Sequence, residues 1–215
     1  MNQVAIDLSN AGITALHRGD SNTAFQSLSQ AAHIVTTASR SHVHKNGGSD
    51  VFVFHWEDCS PGIVAKEGST PFLSLRALRI STQHDADEVS QLCPCGFAWS
   101  IWFNLALCCS VIGTRLGEKG KPFLEMAYDL YEKVQRRVDS EPSRNNRHWA
   151  MMTMVVSNNQ ACIFHDFCMH GNAVLCLHRL ASTLASCQDM EVEDRGNFCL
   201  NLQILGSQTL AAAAQ

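Results

Sequence analysis

The sequence predicts an all-α domain of about three helix-turn-helix repeats, with a small β-hairpin inserted between the first two and a capping helix at the end. The main observation is a recurring spacing: a small residue, another twelve positions later, and an apolar residue seven beyond that. The triplets are Gly12, Ala24 and Ala31; Ala161, Ala173 and Leu180; and, with about nine extra residues, Ala106, Ala127 and Val134. Two antiparallel helices approach closely only where the crossing residues lack bulk, so this spacing indicates paired helices.

The first repeat is predicted at about residues 5–38. Leu8, Gly12 and Leu16 recur at helical spacing, and the Gly19-Asp20 dipeptide then breaks the helix. Asp20 or the serine after it can cap the second helix, because a side-chain oxygen at this position accepts a hydrogen bond from a free backbone N–H.

The stretch at about 39–98 is predicted to be an insertion, because no helical repeat requires it. It contains VFVFHW, which begins at Val51, and PFLSLRALRIS, which begins at Pro71. Both runs have the β-branched, aromatic or partly alternating composition of strands, and a Ser-Pro-Gly break follows the first one. We therefore expect a two-stranded β-hairpin packed on the helices.

Two further repeats and a last helix complete the predicted domain, which spans residues 1–215. The second repeat is expected at about 99–140, with its turn expanded through Thr114 to Lys121. The third is expected at about 146–187, with His170-Gly171-Asn172 at its turn. A capping helix is expected at about 193–210.

The run SNAGITALHRGDSNTAFQSLSQAAHIV in the first repeat resembles a tetratricopeptide (TPR) repeat. That motif has Gly or Ala on its first helix, a Gly-Asp turn, and Ala, a large residue and Ala on its second. FNLALCCSVIG with PFLEMAYDLYEKV, and SNNQACIFHDFCMHGNAVLCLHRLAS, resemble the same motif. Asn10, Asn104 and Asn159 each lie two residues before the small residue of the first helix, as in many TPR sequences.

The resemblance implies a concave groove lined by the first helix of each repeat, which we call the A helix. The groove residues implied in this way are Asn10, Ile13, His17, Phe103, Asn104, Leu107, Asn159, Cys162 and His165. An asparagine side chain can both donate to and accept from the backbone of a bound peptide. The alternative, that each asparagine bonds a neighbouring helix, is left open by the sequence.

Composition and charge narrow the classes of partner and compartment. The net charge of -4 and the pI near 6.2 disfavour nucleic acid, which requires a concentrated basic face. No apolar run is expected to span a membrane, and the first residues lack the pattern of a secretory signal. Several of the ten cysteines lie in apolar helical patterns, which favours a reducing compartment, cytoplasmic or nuclear.

The sequence offers no catalytic motif, so we expect a protein that is not an enzyme, with no cofactor and no metal. Cys162, His165 and Cys168 are spaced three apart, but a structural zinc site needs four convergent ligands. Cys93-Pro94-Cys95 is a C-x-C and lacks a second pair at zinc-ribbon spacing. None of the groove residues is basic, which disfavours a clamp for the acidic C-termini of heat-shock chaperones.

These observations predict a non-catalytic protein-protein interaction or scaffold module that binds a peptide segment or a partner protein in its concave groove. One alternative is an obligate structural subunit of a larger assembly. Another is a thiol- or metal-based sensor that uses Cys162, His165 and the Cys93/Cys95 pair.

Overall fold

A computed structural model describes residues 2–41, 52–59, 76–82, 96–140, 147–187 and 192–213. The predicted mostly helical fold with a small two-stranded hairpin is confirmed. The elements in chain order are α1 (Asn2–His17), α2 (Ser21–Ser41), β1 (Phe52–Asp58), β2 (Arg76–Thr82), α3 (Gly96–Leu116), α4 (Lys121–Ser140), α5 (Arg147–Asp166), α6 (His170–Ser186) and α7 (Val192–Ala213).

The chain divides into two units, and the division falls within α4. The first unit holds α1, α2, the hairpin, α3 and α4 up to Leu130, and the second holds α4 from Tyr131 together with α5, α6 and α7. Each unit has buried apolar residues of its own.

In the first unit, α1 crosses α2 at Gly12. A Cβ atom added to Gly12 would lie 2.6 Å from Leu28 Cγ, so only glycine fits this crossing without a shift. The turn between the helices uses Gly19 in the left-handed region, at φ 80°. Asp20 then caps α2, because its Oδ1 accepts a hydrogen bond from the backbone N–H of Thr23 at 3.1 Å.

The helix α3 ends in a 3-10 turn over Gly117–Gly120, which leads directly into α4. Gly113 of α3 lies against this turn, and an added Cβ there would meet Leu124 Cδ2 at 2.5 Å. A Cβ on Gly120 would collide with the backbone of Gly113. The close approach explains why this Gly-rich stretch has two glycines with no room for a side chain.

The hairpin is antiparallel, and its register pairs Phe54 with Ile80 and Trp56 with Leu78. Side chains that oppose each other in this way share one face of the sheet. Strand β2 contacts both α1 and α3. The hairpin therefore packs on the helices of the first unit, and residues 71–75 of the predicted second strand lie outside the described residues.

In the second unit, α5 packs on α6, and α7 packs on both. The turn between α5 and α6 lies at residues 167–169, three positions before the predicted His170-Gly171-Asn172. Cys168 takes the left-handed conformation there, at φ 56°, and its N–H donates to His165 O at 3.0 Å. Helix α6 therefore begins at His170, and Gly171, which the sequence placed in the turn, lies within the helix.

One stretch of the described chain, Phe97–Ser140, contains a window long and apolar enough to cross a membrane, with a mean hydropathy of 1.5. Within that window, 83% of the residues are buried inside the protein. Packing in the core already accounts for the apolar character of this stretch, because core helices have the same composition.

We expect the Gly12→Leu variant to be destabilised by about 1–3 kcal/mol or more, because the new side chain overpacks the α1–α2 crossing. The matched control is Gly206→Leu in α7, where an added Cβ has nothing within 4 Å. Urea unfolding followed by circular dichroism measures both. Equal unfolding midpoints for the two variants would contradict the crossing at Gly12.

Candidate functional site

The predicted groove residues lie on the A helices, which are α1, α3 and α5. Asn10, His17 and His165 are partly exposed, and the other six are buried: Ile13, Phe103, Asn104, Leu107, Asn159 and Cys162. The chain itself therefore covers most of this face. Strand β2 packs on this face in the first unit, and helix α7 packs on α5 in the second.

In the first unit, two asparagines of the A helices hold strand β2 by its backbone. Asn104 Nδ2 donates to Leu78 O at 2.8 Å, and Leu78 N–H donates to Asn104 Oδ1 at 2.8 Å. In the same way, Asn10 Nδ2 donates to Ile80 O at 2.7 Å, and Ile80 N–H donates to Asn10 Oδ1 at 3.0 Å. Each side-chain amide thus replaces one residue of a neighbouring strand. We call Asn10 and Asn104 the asparagine pair.

The asparagine pair bonds the edge of β2 that β1 leaves open. In an antiparallel pair, alternate residues direct their N–H and C=O groups toward the partner strand, and the intervening ones direct theirs away. Leu78 and Ile80 are two residues apart and use the same outer edge, and they are 1% exposed each. Buried peptide groups without partners destabilise a fold, so the edge requires these amides.

The distance between alternate residues of a strand is close to the distance between the axes of packed helices. Two residues along a strand cover about 6.8 Å, and packed helices lie about 8–10 Å apart. One asparagine from α1 and one from α3 can therefore reach alternate residues of a strand laid across both helices. The contacts involve only backbone atoms of β2, so the pair recognises an extended conformation and not particular side chains.

Aromatic contacts fix the hairpin on α3. Trp56 and Phe103 meet edge to face with ring centroids 5.7 Å apart, and Phe54 stacks on Trp99 at 5.5 Å. Phe54 is 5% exposed and Phe103 is fully buried. Burial of side chains of this size stabilises a fold by about 1.5–3 kcal/mol each. The apolar face of the hairpin is therefore part of the core of the first unit.

A charged contact joins the hairpin to α1. Arg79 of β2 donates two hydrogen bonds to the Glu57 carboxylate, from Nε at 2.6 Å and from Nη2 at 3.1 Å. Arg79 Nη2 also lies 3.3 Å from Thr14 Oγ1, and His17 Nδ1 lies 3.9 Å from Glu57 Oε1. The hydrogen bonds from Arg79 lower the pKa of Glu57, and burial opposes this only in part.

In the second unit, the asparagine of the A helix bonds other side chains. Asn159 Nδ2 donates to the Tyr131 hydroxyl at 2.9 Å, and Asn158 Nδ2 donates to Asn159 Oδ1 at 3.1 Å. Asn201 of α7 donates to Asn158 Oδ1 at 2.6 Å. These four residues form a buried polar network that ties α5 to α4 and to α7. Asn159 thus bonds neighbouring helices, which is the alternative that the sequence left open.

The residues considered for a thiol or metal site are placed as follows. Burial raises the pKa of Cys162 to about 12, which keeps this thiol protonated and unreactive at neutral pH. The rings of His165 and His170 lie 6.0 Å apart. Within the described ranges, no three His, Cys, Asp or Glu side chains are grouped so that they could hold a metal ion. Cys93 and Cys95 lie outside the described residues.

Several residues of the site were not identified from the sequence. Glu57, Arg79 and Thr14 form the charged contact, and Tyr131 and Asn201 belong to the polar network. Two features of the sequence pointed toward this site: an asparagine at the same position of each A helix, and an alternating run, RALRIS, in the insertion. That pattern indicates a strand that needs backbone partners, but it does not say which residues supply them.

We expect Asn104→Ala to destabilise the first unit by about 2–4 kcal/mol, because it leaves the buried N–H and C=O of Leu78 without partners. Hydrogen exchange should show loss of protection at the Leu78 amide before other amides of β2. The control is Asn22→Ala, which changes an exposed asparagine of the same unit. Unchanged exchange at Leu78 would contradict the role given to Asn104.

The charged contact should make the stability of the first unit depend on pH in acid. The pKa of Glu57 in the folded chain lies below its ordinary value of 4.5, so the stabilisation is complete above pH 4.5. It is lost as the pH falls through the folded-state pKa. Glu57→Gln should remove this part of the acid dependence in urea unfolding, whereas Glu125→Gln, at an exposed position of α4, should leave it.

Comparison with protein-family models, curated proteins and solved structures gives no match for this chain. The resemblance to TPR repeats therefore rests on the residues of the chain itself, which are the small-residue spacing and the asparagine of each A helix. The first unit adds a specific geometry, an asparagine pair that holds an extended strand by its backbone.

Proposed function

We propose that this chain is a TPR-like protein-protein interaction module whose A-helix face in the first unit binds an extended peptide segment. In the chain alone, its own strand β2 occupies that face. One observation carries the proposal: each member of the asparagine pair both donates to and accepts from one residue of an extended backbone. A partner segment would take the place of β2 beside β1, which is a form of β-strand addition.

The chemistry of this face supports a binding role without catalysis or a cofactor. Amide side chains and the apolar residues Phe103 and Leu107 suit a segment that presents neutral or apolar residues to the helices, and not the acidic tails of chaperones. We therefore propose a protein or peptide partner, no nucleic acid, no membrane span, and action in the cytoplasm or nucleus.

The binding test uses a fluorescent peptide with the sequence of residues 74–83, SLRALRISTQ, and the full-length chain. The resident strand competes at a high effective concentration, which weakens binding to the wild type. Arg79→Ala in the chain loosens the resident strand, so the wild-type peptide should bind this variant about five-fold more tightly in fluorescence polarisation. Arg18→Ala, which changes an exposed arginine in the turn after α1, is the control and should bind like the wild type.

Hydrogen exchange during the same titration identifies the site. The bound peptide should increase exchange in residues 76–82 of the chain, because it displaces them from the asparagine pair. A peptide of the same composition in scrambled order should neither bind nor increase exchange in residues 76–82. If the peptide at saturating concentration fails to bind either the wild type or the Arg79→Ala chain, the A-helix face is a closed core and the proposal is wrong.

A second candidate, the obligate subunit of a larger assembly, is favoured by the exposed surface of α6. In α6, Leu175 is 71% and Val174 43% exposed, and Met169, immediately before the helix, is 45% exposed. Large apolar residues exposed at neighbouring positions are compatible with a surface that contacts another protein. Under this hypothesis, the chain expressed alone should self-associate in light scattering, Leu175→Glu should restore a single-chain mass, and the peptide titration above should show no binding.

A further inference from the structure

Strand β2 is held by a contact that the asparagine pair does not explain. Arg79 lies between Leu78 and Ile80, so its side chain leaves the strand on the face opposite theirs. There its guanidinium meets the Glu57 carboxylate in a two-pronged contact and lies within 3.3 Å of the Thr14 hydroxyl. These acceptors belong to β1 and to α1, not to β2.

We infer that the binding site in the first unit includes an arginine-selective subsite, formed by Glu57 of β1 and Thr14 of α1, and that the partner is an extended segment with the pattern apolar-Arg-apolar. This inference rests on the proposed function, since it names the segment that would replace β2. The asparagine pair fixes the register of any segment on this face, because it bonds residues two apart. The residue between them opposes His55 in the register, and its side chain lies on the same face as Glu57, which it reaches diagonally.

The geometry favours arginine over lysine. A guanidinium presents parallel N–H groups that match both oxygens of a carboxylate and leave a further donor, whereas an ammonium is a point charge. Arg79 uses Nε and Nη2 on the two Glu57 oxygens, and Nη2 also faces Thr14. His17 Nδ1 lies 3.9 Å from Glu57 Oε1, beyond hydrogen-bond distance.

The burial of the subsite sets the size of the expected effect. The side chains of Arg79 and Glu57 are 36% and 29% exposed, so water screens the contact in part. Exposed ion pairs contribute little, and two-pronged hydrogen bonds to a carboxylate contribute more. We therefore expect a selectivity of about five-fold for arginine over a neutral residue at this position.

The test measures four peptides of residues 74–83 on the full-length Arg79→Ala chain by fluorescence polarisation: the native sequence, and those with Arg79→Lys, Arg79→Gln and Arg79→Glu. The native peptide should bind about five-fold more tightly than Arg79→Gln, with Arg79→Lys between them and Arg79→Glu weakest. Adding Glu57→Gln to the chain should bring all four within about two-fold of each other. The matched control, Glu125→Gln, should keep the original order.

A charge exchange separates selectivity from a structural role of Glu57. Glu57→Arg in the Arg79→Ala chain should reverse the order, so that the Arg79→Glu peptide binds more tightly than the native one. If the four peptides bind the Arg79→Ala chain equally, the arginine subsite is wrong while the binding face stands. If none binds, both the subsite and the proposed function are wrong. If Glu57→Gln abolishes the binding of all four peptides, and does not bring their affinities close together, the arginine subsite is also wrong, because Glu57 then has a structural role.

Discussion

The first unit depends on the pairing of one strand edge. A two-stranded hairpin buried against helices leaves the outer edge of one strand without a neighbour, and buried N–H and C=O groups need partners. The asparagine pair supplies them from α1 and α3, with one amide for Leu78 and one for Ile80. The aromatic contacts of Phe54 and Trp56 with α3 and the Arg79–Glu57 contact between the strands add to the packing of the same hairpin.

The same position of the A helix serves a different purpose in the second unit. Asn159 corresponds to Asn10 and Asn104 by its spacing, yet it bonds Tyr131 and Asn158 and, through the latter, α7. A side-chain amide has two donors and an acceptor that can pair with a strand, a hydroxyl or another amide. Its partner therefore depends on the element beside the helix, which is the backbone of β2 in the first unit and Tyr131 of α4 in the second.

Under the proposed function, one helix face would be both a core and a recognition surface. The contacts to β2 divide into backbone contacts, made by the asparagine pair, and one side-chain contact, made by Glu57 and Thr14. With a bound partner segment, the first kind would select an extended conformation and set the register, and the second would select a residue within that register. Only the second kind distinguishes one extended segment from another.

The helical fold, the hairpin and the glycine at the α1–α2 crossing are predictable from the sequence, because periodicity, capping, strand composition and the need for small crossing residues are local properties of the chain. The sequence also indicates that Asn10 and Asn104 can bond a peptide backbone. Three features emerge only from the folded chain: the bonded backbone is that of β2, Glu57 accepts hydrogen bonds from Arg79, and the α5–α6 turn lies at Cys168. These outcomes join residues up to seventy positions apart, or depend on how two helices pack, and no local pattern fixes such contacts.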